Sequence, residues 1–129
     1  MTPTESQWRR FSREFRRLKA NQFGFCSCFT CSDVRHWKEM DTGHFIDRRW
    51  AATKYYLLNL EVQCRKCNRY LDGNLAVYKR QLETKHGSWI ISHLNGMRSL
   101  GRPLEHHEVE WLILWMRDRR KKKESSYTN

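Results

Sequence analysis

Two C-x2-C pairs, Cys28/Cys31 in CFTC and Cys64/Cys67 in CRKC, enclose the segment DTGHF, and the second pair is followed directly by Asn68. Such residues at these intervals can bind metal ions and move a proton. Four thiolates complete a tetrahedral zinc ion and leave it no open position, so the pairs predict a structural zinc site. Cys26 is left over; it could replace Cys28 as a ligand, but it does not fit the knuckle spacing. The long interval between the pairs leaves room for a functional insertion, and Asp41 and His44 lie in it. Once zinc fixes both knuckles, Asn68 can face this insertion, and a carboxylate, an imidazole and an amide oxygen then converge. Oxygen ligands suit Mg²⁺, which takes its remaining ligands from water and phosphate. Histidine is suited to lifting a proton from water near neutral pH. One divalent ion on a phosphate and one base on water is the equipment of phosphodiester hydrolysis.

Taken singly, each residue has a plainer reading. Asp41 is a turn residue, His44 a hydrogen-bonded hairpin side chain, and Asn68 a helix cap. The combination points to chemistry.

Periodicity predicts the helices and strands that carry these groups. Trp8, Phe11, Phe15 and Leu18 recur at three and four, predicting an amphipathic helix from Thr4 to about Ala20 with arginines opposite. Asp41-Thr42-Gly43 reads as a tight turn between two extended pieces, which predicts a β-hairpin within Cys26 to Ile46. Residues 47–58 read as a loop rich in arginine and aromatic side chains. Leu71, Leu75, Tyr78 and Leu82 predict a helix bent near Gly73 and ended by Gly87. Two more helices are expected at about 88–100 and 104–123, with the last residues, ESSYTN, frayed. The division that follows is a basic helix at 1–22, a zinc-anchored core at 23–87 and a helical extension with a basic tail at 88–129.

The 129 residues carry 25 Lys+Arg against 14 Asp+Glu, a net charge of +11, which favours a polyanionic partner such as nucleic acid. The excess is clustered. Arg9, Arg10, Arg13, Arg16, Arg17 and Lys19 lie near one end, and Arg117, Arg119, Arg120, Lys121, Lys122 and Lys123 near the other. Arg48, Arg49 and Lys54, close to DTGHF, are further candidates for phosphate contacts, with Trp50, Tyr55 and Tyr56 as stacking or core residues. His106 and His107 are adjacent on a helix and point apart, so they read as surface or capping residues. No apolar run approaches the roughly 20 residues of a membrane span. The opening MTPTESQWRRFSREF carries no apolar signal segment, so a cytoplasmic setting is expected.

The order C-x2-C, D-x-x-H, C-x2-C-N resembles the ββα-metal (HNH-type) endonucleases. It is most similar to the phage NinG/Rap recombination nucleases in Gly43-His44-Phe45, Gln63-Cys64, Cys67-Asn68, Leu71, Gly73-Asn74, Tyr78 and Leu82. The paired knuckles with a following asparagine also resemble endonuclease VII-type junction resolvases. These motifs span about Cys28 to Gly87 and leave the flanking helices uncovered. The resemblance implies an α+β fold, with a small zinc-anchored ββα-metal (HNH, treble-clef-like) core flanked by helices. It further implies a phage or prophage protein acting in a bacterial host, with His44 as general base and Asp41 and Asn68 holding a catalytic Mg or Mn ion. Asn59 would brace the loop bearing the histidine. One position departs: the commoner pattern has an acid directly before the base, where this chain has Gly43. The acidic ligand is therefore Asp41 or, failing that, Asp47.

The leading functional expectation is a metal-dependent DNA endonuclease acting on branched or recombination intermediates. The alternatives are a zinc-stabilised DNA-binding module without catalysis and an RNA-binding protein of translation type. The apolar face of the last helix, with Trp111 and Trp115 outside it, suits either a homodimer contact or core packing.

Overall fold

In a computed structural model the chain is described over residues 1–128, and it is a small mixed α+β domain with two two-stranded sheets. Helix α1 (Glu5–Lys19) starts at a capping box in which the Thr4 hydroxyl accepts from the Gln7 backbone while the Gln7 side chain reaches back to Thr4. This satisfies two of the amide groups a helix start leaves bare. Strands β1 (Phe25–Ser27) and β2 (Val34–His36) pair antiparallel, and the first cysteine knuckle makes the turn between them. Cys28 N donates to Asp33 O at 2.7 Å, and Ser32 takes a positive φ of 68° to close the loop.

Strand β3 (Met40–His44) pairs antiparallel with β4 (Leu60–Cys64), Asp41 opposite Gln63 and His44 opposite Leu60. The turn expected at Asp41-Thr42-Gly43 is therefore absent: these residues lie inside β3. Asp, Thr and Gly carry turn chemistry in their own composition, but Gly43 is required here for packing, because a Cβ at this position would overlap the Gln63 amide. Gln63 is fully buried and pinned, its Nε2 donating to Thr30 Oγ1 at 3.1 Å and Gly73 O at 2.8 Å. The segment joining β3 to β4 holds a short helix α2 (Ala51–Lys54) and a 3-10 turn (Leu57–Asn59).

After β4 the second knuckle enters one π-helical turn (Lys66–Tyr70), and the chain re-aims through Asp72, Gly73 and Asn74, all at positive φ. Helices α3 (Leu75–His86), α4 (Trp89–Leu100) and α5 (His106–Ser125) follow. Gly87 ends α3 as expected. The expected fraying of ESSYTN is not seen through Thr128, where a 3-10 turn (Ser126–Thr128) continues α5; Asn129 lies outside the described residues.

Two apolar clusters organise these elements. Trp8, Phe11 and Phe15 of α1 and Val109, Ile113 and Met116 of α5 pack with Met40, Leu60 and Val62 of the β3–β4 sheet, beside the cysteines. The flanking helices thus share one core with the strands. Ile46 packs with Tyr78 and Leu82 of α3 and Ile90 and Leu94 of α4 in the second cluster. Each such fully buried side chain contributes about 1.5–3 kcal/mol, which fixes the sheet between two helical layers. Outside the core, Trp111 and Leu114 of α5 are exposed, and the Trp111 and Trp115 rings stack at 6.4 Å. Among the described residues no helix is long and apolar enough to cross a membrane.

Candidate functional site

The fold brings Cys28 and Cys31 from the β1–β2 turn to Cys64 at the end of β4 and Cys67 in the π-turn. Their four sulfur atoms all lie within 4.8 Å of one another. Zinc–sulfur bonds of about 2.3 Å place tetrahedral ligands about 3.8 Å apart, and Cys31 Sγ to Cys64 Sγ is 3.7 Å. The four cysteines therefore fit a zinc ion. Cys26 is buried elsewhere, its thiol 3.5 Å from Arg16 O, and burial pushes that thiol up. Burial also opposes ionisation of Cys28, but the Thr30 hydroxyl and nearby backbone amides overcome it and hold this thiol at about 6. Asn74 Nδ2 and the Cys67 amide add donors to Cys67 and Cys64 sulfur at 3.7 and 3.4 Å.

Beside this cluster runs a cleft of about 680 Å³ along the unpaired edge of β3. Residues alternate in direction along a strand, and the two faces of β3 meet different neighbours. Asp41 turns to the knuckle, where Asn68 Nδ2 lies 3.0 Å from its Oδ2. Thr42 and His44 turn to α1: the Thr42 hydroxyl is 2.7 Å from that of Ser12, and the His44 ring lies 5.0 Å from the Trp8 indole. Asp41 and Asn68 thus meet directly, while His44 reaches the same cleft from the other side of the strand without touching them.

The tautomer of His44 is set by a backbone carbonyl. Nε2 lies 2.9 Å from Lys54 O, and a carbonyl only accepts, so the ring proton sits on Nε2. Nδ1 has no hydrogen-bond partner among the described residues, so its lone pair is free. Burial lowers the His44 pKa to about 4, helped by the nearby charges of Arg48 and Lys54. At neutral pH the ring is uncharged and able to accept a proton.

Asn59 holds the segment that supplies this carbonyl. It is fully buried, receives the Ile46 amide at 2.8 Å, and donates to Ile46 O at 3.0 Å and Thr53 O at 3.1 Å. Asn59 acts on His44 through the peptide between Thr53 and Lys54.

Asp47, the alternative acid, also lines the cleft, but it caps the following turn, accepting from Arg49 N and Nε at 2.9 Å. The cleft rim is basic: Arg16, Lys38, Arg48, Arg65 and Arg69 outnumber Asp41, Asp47 and Asp72. Arg48 and Lys54 lie over the Trp8 ring at 5.5 and 5.6 Å. Arg48 also lines a second cavity with Arg49 and Lys54, so the two hollows adjoin.

The sequence matches the family described as Bacteriophage Lambda NinG protein across residues 4–124. The chain belongs to the NinG family. The match takes in α1 and nearly all of α5, so both flanking helices fall within the span shared by NinG proteins, well beyond the motifs between Cys28 and Gly87. No curated protein and no solved structure matches the chain.

Several contacts at this NinG site had no sequence signal. Arg69 grips both oxygens of Asp41, and Trp8 covers His44 from a helix more than thirty positions away. In the basic tail the side chains divide. Arg120 is buried against Glu14 at 2.8 Å, and Lys123 donates to Leu18 O and Ala20 O at the end of α1, both at 2.8 Å. Those two are taken up within the fold. Arg119 and Lys121 are exposed, Lys122 pairs with Asp118, and Arg117 is half-buried. His107 is exposed and His106 half-buried at the start of α5.

Proposed function

We propose that this NinG protein is a metal-dependent DNA endonuclease of the HNH type, with β3, β4 and the knuckle turn as its ββα-metal unit. The observation that carries the reading is His44: a neutral imidazole with one nitrogen tied to Lys54 O and the other free, in a basic cleft that also holds the Asp41–Asn68 pair. His44 Nδ1 takes the proton from the attacking water, while Lys54 O and the Trp8 face keep the ring from turning. Asn59 keeps the Lys54 carbonyl in place. A Mg or Mn ion, when bound, neutralises charge on the phosphate and steadies the leaving oxygen.

Asp41 and Asn68 fit as ligands for that ion. Cis positions of an octahedron with bonds of about 2.1 Å are about 3.0 Å apart, and the two side chains approach to 3.0 Å. Amide nitrogen and oxygen exchange by a flip of Asn68. Asp47 remains the alternative acid on the His44 side. Arg48, Arg49 and Lys54, together with Arg117, Arg119, Lys121 and Lys122, provide phosphate contacts that do not depend on base sequence. Among the described residues no element presents base-reading side chains in a row, which supports selection by shape, with branched or recombination intermediates preferred over plain duplex. The exposed Trp111–Leu114 face of α5 suits a second copy, which a paired cut across a junction needs.

The Arg69 grip on Asp41 favours one competing reading, a zinc-stabilised DNA-binding module in which Asp41 is a structural ion-pair partner. A panel of fork, flap, four-way and linear DNA, incubated with Mg²⁺ or Mn²⁺, separates the two. The nuclease reading expects ion-dependent cleavage that favours branched substrates and is lost in His44→Ala with binding retained. Binding without cleavage on every substrate would leave the module. Equal cleavage of fork, junction and duplex would remove the shape preference alone.

A further inference from the structure

The contact that the proposed chemistry does not use is the guanidinium of Arg69 on Asp41. Nε meets Oδ2 at 2.9 Å and a terminal nitrogen meets Oδ1 at 3.0 Å, while Asn68 takes Oδ2 as well. The carboxylate oxygens that a divalent ion would claim are therefore already engaged. The arginine covers Asp41 from the solvent side, its own side chain 57 % exposed against 15 % for the aspartate. Both residues line the cleft that holds His44.

We infer that Arg69 is a resident counter-ion of the cation site: it neutralises Asp41 until a divalent ion displaces it, and the released guanidinium then takes a phosphate of the nucleic-acid substrate. The inference rests on the reading of Asp41 and Asn68 as cation ligands.

The other cationic partners along the cleft separate Arg69 from its neighbours. Arg16 donates to the backbone oxygens of Ser12, Trp37 and Met40, Arg65 to Lys38 O, and Arg48 pairs with Glu5. A bound metal replaces none of those partners. Arg69 alone among these arginines holds the carboxylate that the ion would take. A planar fork that fits a carboxylate fits a phosphate equally well. Like charge also opposes leaving the guanidinium beside a divalent ion. Ion binding thus frees one phosphate contact, and by linkage each ligand raises the affinity for the other by the same factor. Arg69 in this sense makes substrate binding depend on the metal.

The test uses the zinc-loaded full chain. Mn²⁺ binding without DNA is followed by electron paramagnetic resonance of the free ion, for the wild type, Arg69→Gln, Arg69→Lys, Asp41→Ala and Asn68→Ala. Arg69→Gln should bind Mn²⁺ about two- to fivefold more tightly, the range an exposed ion pair holds back. Arg69→Lys, which keeps the charge and loses the fork, should fall between. In a second arm, binding of a labelled forked DNA is measured with EDTA and with Ca²⁺. Wild type should gain affinity in Ca²⁺ over EDTA, and the ratio of the two affinities should be smaller for Arg69→Gln. Equal or weaker Mn²⁺ binding by Arg69→Gln, with binding lost in Asp41→Ala, would overturn the counter-ion role and leave the cation site standing. Unchanged Mn²⁺ binding in both Asp41→Ala and Asn68→Ala would remove the site and this inference together.

Discussion

His44 Nε2 lies 2.9 Å from the backbone oxygen of Lys54, ten residues further along the chain. A buried asparagine fixes that oxygen in place: Asn59 holds the adjoining Thr53 carbonyl and both backbone groups of Ile46. The reactive nitrogen of the histidine is thus chosen by backbone geometry, in a segment that sequence shows only as a loop.

Asn59→Ala leaves the Ile46 amide and carbonyl without partners in the core, and Thr53 O keeps only its backbone donor, Tyr56 N. At about 1–3 kcal/mol for each unpaired buried group, the loss should be at least about 2 kcal/mol. Denaturant unfolding reads this cost. Zinc content should stay at the wild-type level and cleavage should fall, because the Lys54 carbonyl no longer holds the ring. A variant that is destabilised but cleaves normally would detach Asn59 from the site.

His44 makes stability depend on pH in a defined window. Its folded pKa, about 4, lies below the ordinary histidine value of 6.5. The unfolded chain therefore binds the extra proton first as pH falls. The contribution is complete above about pH 6.5 and is lost as pH drops towards 4, with a slope of up to about 1.4 kcal/mol per pH unit. Urea midpoints measured across this range should fall towards acid, and His44→Gln should flatten the trend. An equal slope in both proteins would place the titration elsewhere.

The cysteine cluster should hold one zinc per chain. Its binding free energy, on the order of 10 kcal/mol, is comparable with the whole stability of a small domain. Chelation should therefore collapse the near-ultraviolet circular dichroism. Cys26→Ser should leave zinc content unchanged, whereas Cys64→Ser should abolish it. A folded, zinc-free chain would contradict the assignment.

Within the basic tail, stability and DNA binding should separate by residue. Arg120→Ala strands the buried Glu14 carboxylate and should cost about 3–5 kcal/mol. Lys121→Ala should leave stability within about 0.5 kcal/mol and reduce the salt dependence of DNA binding by about one phosphate contact. Thermal melts and salt titrations measure both. The reverse assignment would mean that the tail grips DNA through its buried arginine.

The parts legible in sequence were those with local signals. Cysteine spacing, the three- and four-residue apolar rhythm of α1, and Gly87 as a helix stop each depend on near neighbours in the chain. Asp41-Thr42-Gly43 misleads because its composition is that of a turn, whereas the need for glycine comes from Gln63 across the sheet. The Arg69 grip depends on a π-turn that sequence does not announce. Arg120 did carry a readable signal. Val109, Ile113, Met116 and Arg120 recur at four, three and four, so the arginine continues the buried stripe. The surrounding run of charges conceals it.

Hydrolysis with His44 as base is read out by the nicking of supercoiled plasmid by the zinc-loaded protein. Mg²⁺ or Mn²⁺ should convert supercoiled to open-circular DNA, EDTA should stop the reaction, and His44→Ala should lower the rate about a hundredfold or more with zinc content and DNA affinity preserved. Failure of the wild type to nick with either ion would exclude hydrolysis, and nicking by His44→Ala at the wild-type rate would exclude His44 as the base.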